Sequence, residues 1–321
     1  MLLAIVAVIL GLAVLVWSAD KFVDGAVGIA RFCGMSTLLI GMVIVGFGTS
    51  APELTVSALS AGQGNPEIAL GNAYGSNIAN IALILGATAA VSPILMQRSV
   101  IRGDLPILTA VSILSIVLVV SGDVTRWKGV VLLVVFAFVM GYSIRRELRK
   151  HKLSKDENDD ADSDAEKPSL GISIFKLVLG LLLLVASSRA LVWGAVAIAR
   201  SIGVSDLLIG LTIVAIGTSL PELASSIAAA RKGENDLALG NIIGSNLFNT
   251  LAVVGLAAVI SPMDEIESTV FMRDMPLMTA LTVALIVLGY RRKGEARLNR
   301  IAGVVLLAIY FGYLGLLIAQ A

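Results

Sequence analysis

Gly46-Phe47-Gly48-Thr49-Ser50-Ala51-Pro52-Glu53 stands near the middle of a long apolar segment, and Ala215-Ile216-Gly217-Thr218-Ser219-Leu220-Pro221-Glu222 stands in the same place in a second one. Proline lacks the N–H that a helix ladder needs and clashes with the carbonyl one turn back, so each segment opens just before its acid. Gly46 and Gly48 make that opened backbone easy to adopt. A carboxylate at such a depth is costly, and freed carbonyls there need partners or a wet cavity to line. Thr49, Ser50 and Glu53 add side-chain oxygens beside them, and Thr218, Ser219 and Glu222 repeat the arrangement. A plain proline kink with its hydroxyls repairing the backbone accounts for the threonines and serines. It does not account for the acids.

Composition says what surrounds these motifs. Of the 321 residues, 57% are hydrophobic and 15% charged, against roughly 25% charged in soluble chains. The apolar residues fall in blocks of about 20, the length that crosses a bilayer. Ten spans are predicted, at 2–19, 36–61, 67–92, 104–121, 127–145, 171–189, 206–230, 236–260, 275–290 and 299–319. The first lacks a basic leader region and a small-residue cleavage site, so it reads as a membrane helix rather than a removable signal. The fold class is an all-α polytopic membrane protein, with helices 2, 3, 7 and 8 broken around polar motifs.

The chain is also a duplication. Aligning Ser36–Gly86 with Ser205–Gly255 gives 25 identities in 51 positions. Residues 1–145 form a first five-helix repeat, 146–170 a charged linker and 171–321 a second repeat. An odd number of spans per half makes the second half enter from the opposite face, which is an inverted repeat. With the N-terminus outside, 19 of the 24 Lys and Arg residues fall on the inner side and 5 on the outer. The positive-inside rule therefore places both termini outside and the linker in the cytoplasm; the resemblance drawn below implies that the membrane is a bacterial inner membrane and the outer side the periplasm.

A second motif follows one span after each acid. Gly71-Asn72-Ala73-Tyr74-Gly75-Ser76-Asn77-Ile78-Ala79-Asn80 is echoed by Gly240-Asn241-Ile242-Ile243-Gly244-Ser245-Asn246-Leu247-Phe248-Asn249. Asn72, Ser76 and Asn80 form a polar stripe on one helix face, and Gly71-x-x-x-Gly75 is a close-packing pattern. Asn72, Asn77, Asn241 and Asn246 read as interhelical glue; Ser76, Asn80, Ser245 and Asn249 are placed to reach the acids. Carboxylate, amide, hydroxyl and carbonyl oxygens suit a hard cation such as Ca2+, which takes roughly six to eight of them. Soft metals want sulfur or imidazole; the chain holds one cysteine, Cys33, and one histidine, His151, which lies in the linker. Two nearby carboxylates in low dielectric repel each other. One Ca2+, two monovalent cations or two protons would each neutralise them, and cations competing for one site amount to exchange.

The paired blocks resemble the two alpha-repeats of the calcium/cation antiporter superfamily, the sodium/calcium exchangers and their bacterial relatives. The resemblance covers nearly the whole chain. It implies that Glu53 and Glu222 ligate Ca2+ and Na+, joined at the calcium site by backbone oxygens of Thr49 and Thr218. It assigns Ser50, Ser76, Ser219 and Ser245, with carbonyls near Gly46 and Ala215, to sodium sites, and sets Asn80 and Asn249 at the flanks. The implied protein is a transporter rather than an enzyme. Its ligands are Ca2+ and a monovalent counter-ion, and neither a resident cofactor nor a nucleic-acid partner is expected. Many sodium/calcium exchangers carry aspartate at the position of Asn249. Asparagine in both halves leaves two acids rather than three, which favours Ca2+ against two monovalent ions and keeps Ca2+/H+ exchange as a rival. A channel would be better served by rings of identical acids, and an intramembrane hydrolase lacks histidine in every span. Asp104 and Asp274, each before an x-Pro pair, read as N-caps of spans four and nine. Asp20 and Asp24 read as interfacial residues, and 156–166 as solvated linker.

Overall fold

The computed structural model describes residues 1–157, 169–204, 209, 212–213, 215–289 and 296–320. The protein is almost wholly helical. Helix α1 is Leu2–Cys33, and the left-handed Gly34 closes it at φ 64°. Helices α2 (Thr37–Thr49) and α3 (Ala51–Gly62) form one span bent by 46°. Helix α4 is Glu67–Val91, α5 Val100–Val119, α6 Arg126–Glu157 and α7 Leu170–Ser201. The short α8 (Ala215–Thr218) leads into α9 (Leu220–Arg231). Helices α10 (Asn235–Ile260), α11 (Val270–Gly289) and α12 (Arg300–Gln320) complete the chain. Among the described residues, eight helices are long and apolar enough to cross a membrane, and the bent α2–α3 pair makes a ninth. The expected seventh span at 206–230 begins in residues partly outside the described set. So does much of the linker, and nothing of the His151 side chain is described.

The proline breaks take the same form in both halves. Ser50 sits at φ −85°, ψ 2° between α2 and α3, and Ser219 at φ −89°, ψ 5° between α8 and α9, with Pro52 and Pro221 in the first turn of the helix that follows. The breaks expected in the third and eighth spans are milder. There α4 and α10 run on through π-helical turns at Ala79–Leu85 and Phe248–Val253, each containing one of the two flanking asparagines. Such turns shift the hydrogen-bond register without opening the helix.

Three expectations need correction. Asp104 and Asp274 do not cap helices: α5 and α11 each begin a turn earlier with a π-helical stretch, Val100–Asp104 and Val270–Asp274. Asp104 instead receives Arg146 on both carboxylate oxygens at 3.0 Å, and Asp274 receives Arg273 and Tyr313. Asp20 and Asp24 lie within α1, which extends well beyond residue 19, and both face Lys232. Helix α7 likewise continues past residue 189 to Ser201.

Glycine contacts reveal how the halves meet. Helices α1 and α7 run antiparallel along their whole length: a β-carbon on Gly194 would lie 2.6 Å from Ala4 O, one on Gly180 2.6 Å from Phe22 N, and one on Gly25 2.7 Å from Ser173 O. These two helices occupy equivalent places in the repeats, so the repeats are inverted relative to each other. Helix α2 lies against α10 just as closely, with Gly41 over Leu237 and Gly240, and Gly46 over Gly244 and Ser245. Two further contacts exchange under the repeat: Gly86 of α4 meets Gly303 of α12, and Gly255 of α10 meets Gly129 of α6. A short ladder of β1 (Ile94–Met96) on β2 (Ala296–Leu298) has its counterpart in the Val124–Met263 bridge. Outside this core, Leu3, Ile9, Phe138, Phe175 and Ile301 are exposed, a surface suited to lipid and unsuited to water.

Overpacking of this kind costs about 1–3 kcal/mol. Gly180→Val, whose β-carbon would strike the Phe22 backbone, is therefore expected to lower the yield of monodisperse protein and its melting temperature. Gly315→Val, where nothing lies within 4 Å, is expected to change neither; fluorescence-detected size exclusion across a temperature series reads both.

Candidate functional site

The two octapeptides bring their acids to the middle of the protein. Glu53 is 2% exposed and Glu222 3%, and the two carboxylates lie close enough to act on each other electrostatically. Among the described residues neither forms an ion pair. Two buried acids with no Lys or Arg partner are uncommon, because an unpaired buried charge costs several kcal/mol.

Hydroxyls and amides tie the surrounding helices together. Thr49 donates to the Val45 carbonyl at 3.0 Å and to Asn241 Oδ1 of the other half at 3.1 Å. Asn241 donates to the Glu222 carbonyl and to the hydroxyls of Ser225 and Ser226, at 3.4, 3.1 and 3.0 Å. Asn72 repeats this in the first half, donating to the Glu53 carbonyl at 3.2 Å and to Ser57 at 3.0 Å. Asn80 donates to Asn246 Oδ1 at 2.9 Å and Asn77 to Thr250 at 2.7 Å. The asparagines read as glue thus bridge helices; two of the three cross-half bonds, Thr49–Asn241 and Asn80–Asn246, join motif to motif, and the third ends on Thr250 just past the second motif.

Proline's lost hydrogen bond is repaired in one half by a residue the motifs do not contain. Pro221 leaves the Gly217 carbonyl without its usual donor, and the Ser188 hydroxyl of α7 supplies one at 2.9 Å. Ser188, Ser57, Ser225, Ser226 and Thr250 were not singled out from the sequence. Ser57 and Ser226 could have been, since each stands four residues after its glutamate and shares its helix face.

The remaining polar atoms of the site are more telling. Among the described residues, nine side-chain polar atoms are buried without a hydrogen-bond partner. Five of them are oxygens of the candidate set: Ser50 Oγ, Glu53 Oε2, Glu222 Oε2, Ser245 Oγ and Asn249 Oδ1. Buried polar groups in folded proteins are nearly always satisfied, so five such oxygens on the two acids and on the motif residues around them are donors fit for a cation. No cluster of three or more His, Cys, Asp or Glu residues occurs among the described residues; this shell has two carboxylates and otherwise neutral oxygens. Ser76 and Ser219 are buried at its edge and line a small cavity with the half-buried Thr218. The Gly46 carbonyl is already used within its helix, accepting from Ser50 N at 3.0 Å. Ala215 opens α8, and its side-chain surroundings lie outside the described set.

Known proteins share this architecture. A family model described as sodium/calcium exchanger protein matches residues 3–145 and 172–319. CaxA of Alkalimonas amylolytica is 46% identical over 323 residues, covering 100% of both chains. The inner membrane protein YrbG of Escherichia coli (strain K12) is 37% identical, over 99% of this chain and 97% of its own. A solved structure of the sodium-calcium exchanger NCX_Mj, soaked with zero Na+ and Ca2+, matches at a TM-score of 0.84 and 30% identity, over 98% of this chain and 99% of that one.

Removing a partner from a buried hydrogen-bond network costs about 1–3 kcal/mol per orphaned group. Asn241→Leu, which removes the partner shared by Thr49, Ser225, Ser226 and the Glu222 carbonyl at a fully buried position, is expected to lower the melting temperature in detergent more than Asn72→Leu, which removes a partly exposed partner of Ser57 and the Glu53 carbonyl alone.

Proposed function

The chain belongs to the sodium/calcium exchanger protein family, whose members are cation antiporters, and we propose that it exchanges Ca2+ for Na+ across a bacterial inner membrane by alternating access. The observation that carries this reading is the pair of buried, unpaired carboxylates surrounded by partnerless oxygens. Such a shell is costly when its charge is uncompensated and is satisfied by a bound cation, so loading and conformational change are coupled through the same residues. In this reading Glu53 and Glu222 ligate Ca2+ and, in the alternate load, Na+. Backbone oxygens of Thr49 and Thr218 complete the calcium site. Ser50, Ser76, Ser219 and Ser245, with carbonyls near Gly46 and Ala215, receive sodium, and Asn80 and Asn249 flank the centre. The similar exchanger NCX_Mj has been soaked with Na+, Ca2+ and Sr2+.

Charge balance sets the stoichiometry of the proposal. Two carboxylates are neutralised by one Ca2+ or by two Na+, which makes the exchange electroneutral. Asparagine at both 80 and 249 also supports the second reading, in which two protons take the place of two sodium ions. Reconstituted vesicles separate the two. Radiolabelled Ca2+ uptake is expected when Na+ is placed inside and its outward gradient imposed, with no effect of a potassium-valinomycin potential clamp. Uptake driven only by a pH gradient in sodium-free medium would replace Na+ by H+ as the counter-ion. Glu53→Gln and Glu222→Gln are each expected to reduce flux to that of empty vesicles while eluting as folded protein.

Both termini are proposed to face the periplasm. Cys33, the single cysteine, is exposed at the end of α1 and would then face the cytoplasm. A membrane-impermeant maleimide is expected to label it in inverted vesicles and leave it unlabelled in intact spheroplasts; the reverse pattern would turn the protein over.

A further inference from the structure

The repeats have matching sequences, and the structure does not treat them alike. In the second half Gly240, Asn241, Gly244 and Ser245 are all buried, closed over by the backbone of α2 at Gly41 and Gly46. Their counterparts in the first half are open: Gly71 is exposed, and Asn72 and Gly75 are partly so. Thr49 is 0% exposed, whereas its counterpart Thr218 is half-buried. A cavity of about 280 Å3 occupies this open side. It is lined by Asn72, Ser76, Thr218 and Ser219 of the candidate site and also by Arg273, Asp274 and Tyr313. Arg273 lies in the first turn of α11 and also bonds the exposed Gln320 at the end of α12, so this second group sits where those helices reach the protein's face.

We propose that this cavity is the route by which cations reach Glu53 and Glu222 from that face, and that the Arg273–Asp274 pair sets how strongly the route attracts them. The proposal rests on the antiporter reading and on the orientation that makes this face the outer one. An arginine beside a cation path repels what the path must carry. Here the charge is cancelled where it stands: Arg273 Nε donates to Asp274 Oδ1 at 2.7 Å and its terminal nitrogen to Oδ2 at 3.2 Å, while the Tyr313 hydroxyl donates to Oδ1 at 2.9 Å. The carboxylate is buried and the guanidinium is only partly exposed, so removing one member leaves the other's charge facing the cavity with little solvent to screen it. The matching acid, Asp104, is also held by an arginine, but Thr49, Asn241 and Ser245 near that end of the site are sealed. The asymmetry makes a sided prediction.

Electrostatics fixes the sign and the valence dependence. A unit charge acting over roughly 10 Å through an effective dielectric near 50 changes affinity by about threefold for Na+ and, since the energy scales with ionic charge, by about ninefold for Ca2+. The test measures half-saturating Ca2+ and Na+ on each face separately, using right-side-out and inverted proteoliposomes. Wild-type flux in the same vesicles tests the antiporter reading, so the two ideas fail separately. Asp274→Asn is expected to weaken apparent affinity on the outer face, Arg273→Gln to strengthen it, and the double variant to return near wild type. Raised ionic strength should shrink both shifts. Equal weakening by both single variants, equal shifts on both faces, or no shift at all would overturn the proposal. If Asp274→Asn does not accumulate, Arg273→Gln and Tyr313→Phe decide it. Both keep the carboxylate and free its lone pairs, so tighter outer-face binding supports the route, and unchanged or weaker binding removes it.

Discussion

Two carboxylates held in a protein interior without a positive partner constrain everything around them. Glu53 and Glu222 could have been neutralised by lysine or arginine, as Asp104 and Asp274 are. Their neighbours are instead serine, threonine and asparagine, which solvate a cation without supplying charge. In the proposed function, that choice leaves the site's electrostatic balance to the ion that enters it. Had either acid been paired internally, the pair would be stable when empty and would have no reason to respond to Ca2+ or to a counter-ion. The proline breaks fall at the same place, one turn before each acid, so that Ser50 and Ser219 sit at the bends beside Glu53 and Glu222.

Placing the acids together requires two halves that approach very closely, and glycine is the means. Helices α2 and α10 meet with Gly41 and Gly46 against Gly240 and Gly244, and α1 meets α7 through Gly25 and Gly180. Within lipid there is no hydrophobic gain from bringing helices together, so close backbone contact and interhelical hydrogen bonds must supply the association. The bonds from Thr49 to Asn241 and from Asn80 to Asn246 do this across the pseudo-symmetry axis. The residues that hold the halves together therefore surround the residues proposed to hold the ion, and a change in loading acts directly on the contact between repeats.

Much of this was legible before the coordinates. The duplicated proline and acid predicted the two breaks at the right residues, because proline's missing donor acts locally whatever the tertiary context. The odd span count predicted inversion, which the antiparallel α1–α7 contact displays. Three things were not legible. Asp104 and Asp274 precede x-Pro in the manner of N-caps, and only the π-helical turns before them reveal that the helices have already begun. The lengths of α1 and α7 exceed a bilayer's need, and charged residues such as Asp20 and Arg189 marked the edge of an apolar block rather than the end of a helix. Finally, a repeat alignment says which residues are equivalent and is silent on which will touch. That Thr49 would meet Asn241, and that Ser188 would reach Gly217, depends on packing angles that no spacing encodes.

Ser188 shows how near-identical halves come to behave differently. Its hydroxyl holds the carbonyl that Pro221 strands, joining the break in the second half to α7. The aligned residue in the first half is Ala19, which has no hydroxyl to offer Gly48. The first break is braced differently, by packing of α2 onto α10 through Gly41 and Gly46. One break is thus fixed by a side-chain bond to a long helix, and the other by backbone contact with the helix that carries Ser245 and Asn249. A perfectly symmetric pair of repeats would have no intrinsic preference between opening to one face and opening to the other. Sequence differences as small as alanine against serine at this position are enough to bias two nearly equal arrangements, since a single buried hydrogen bond is worth about 1 kcal/mol and that shifts a two-state balance by roughly fivefold.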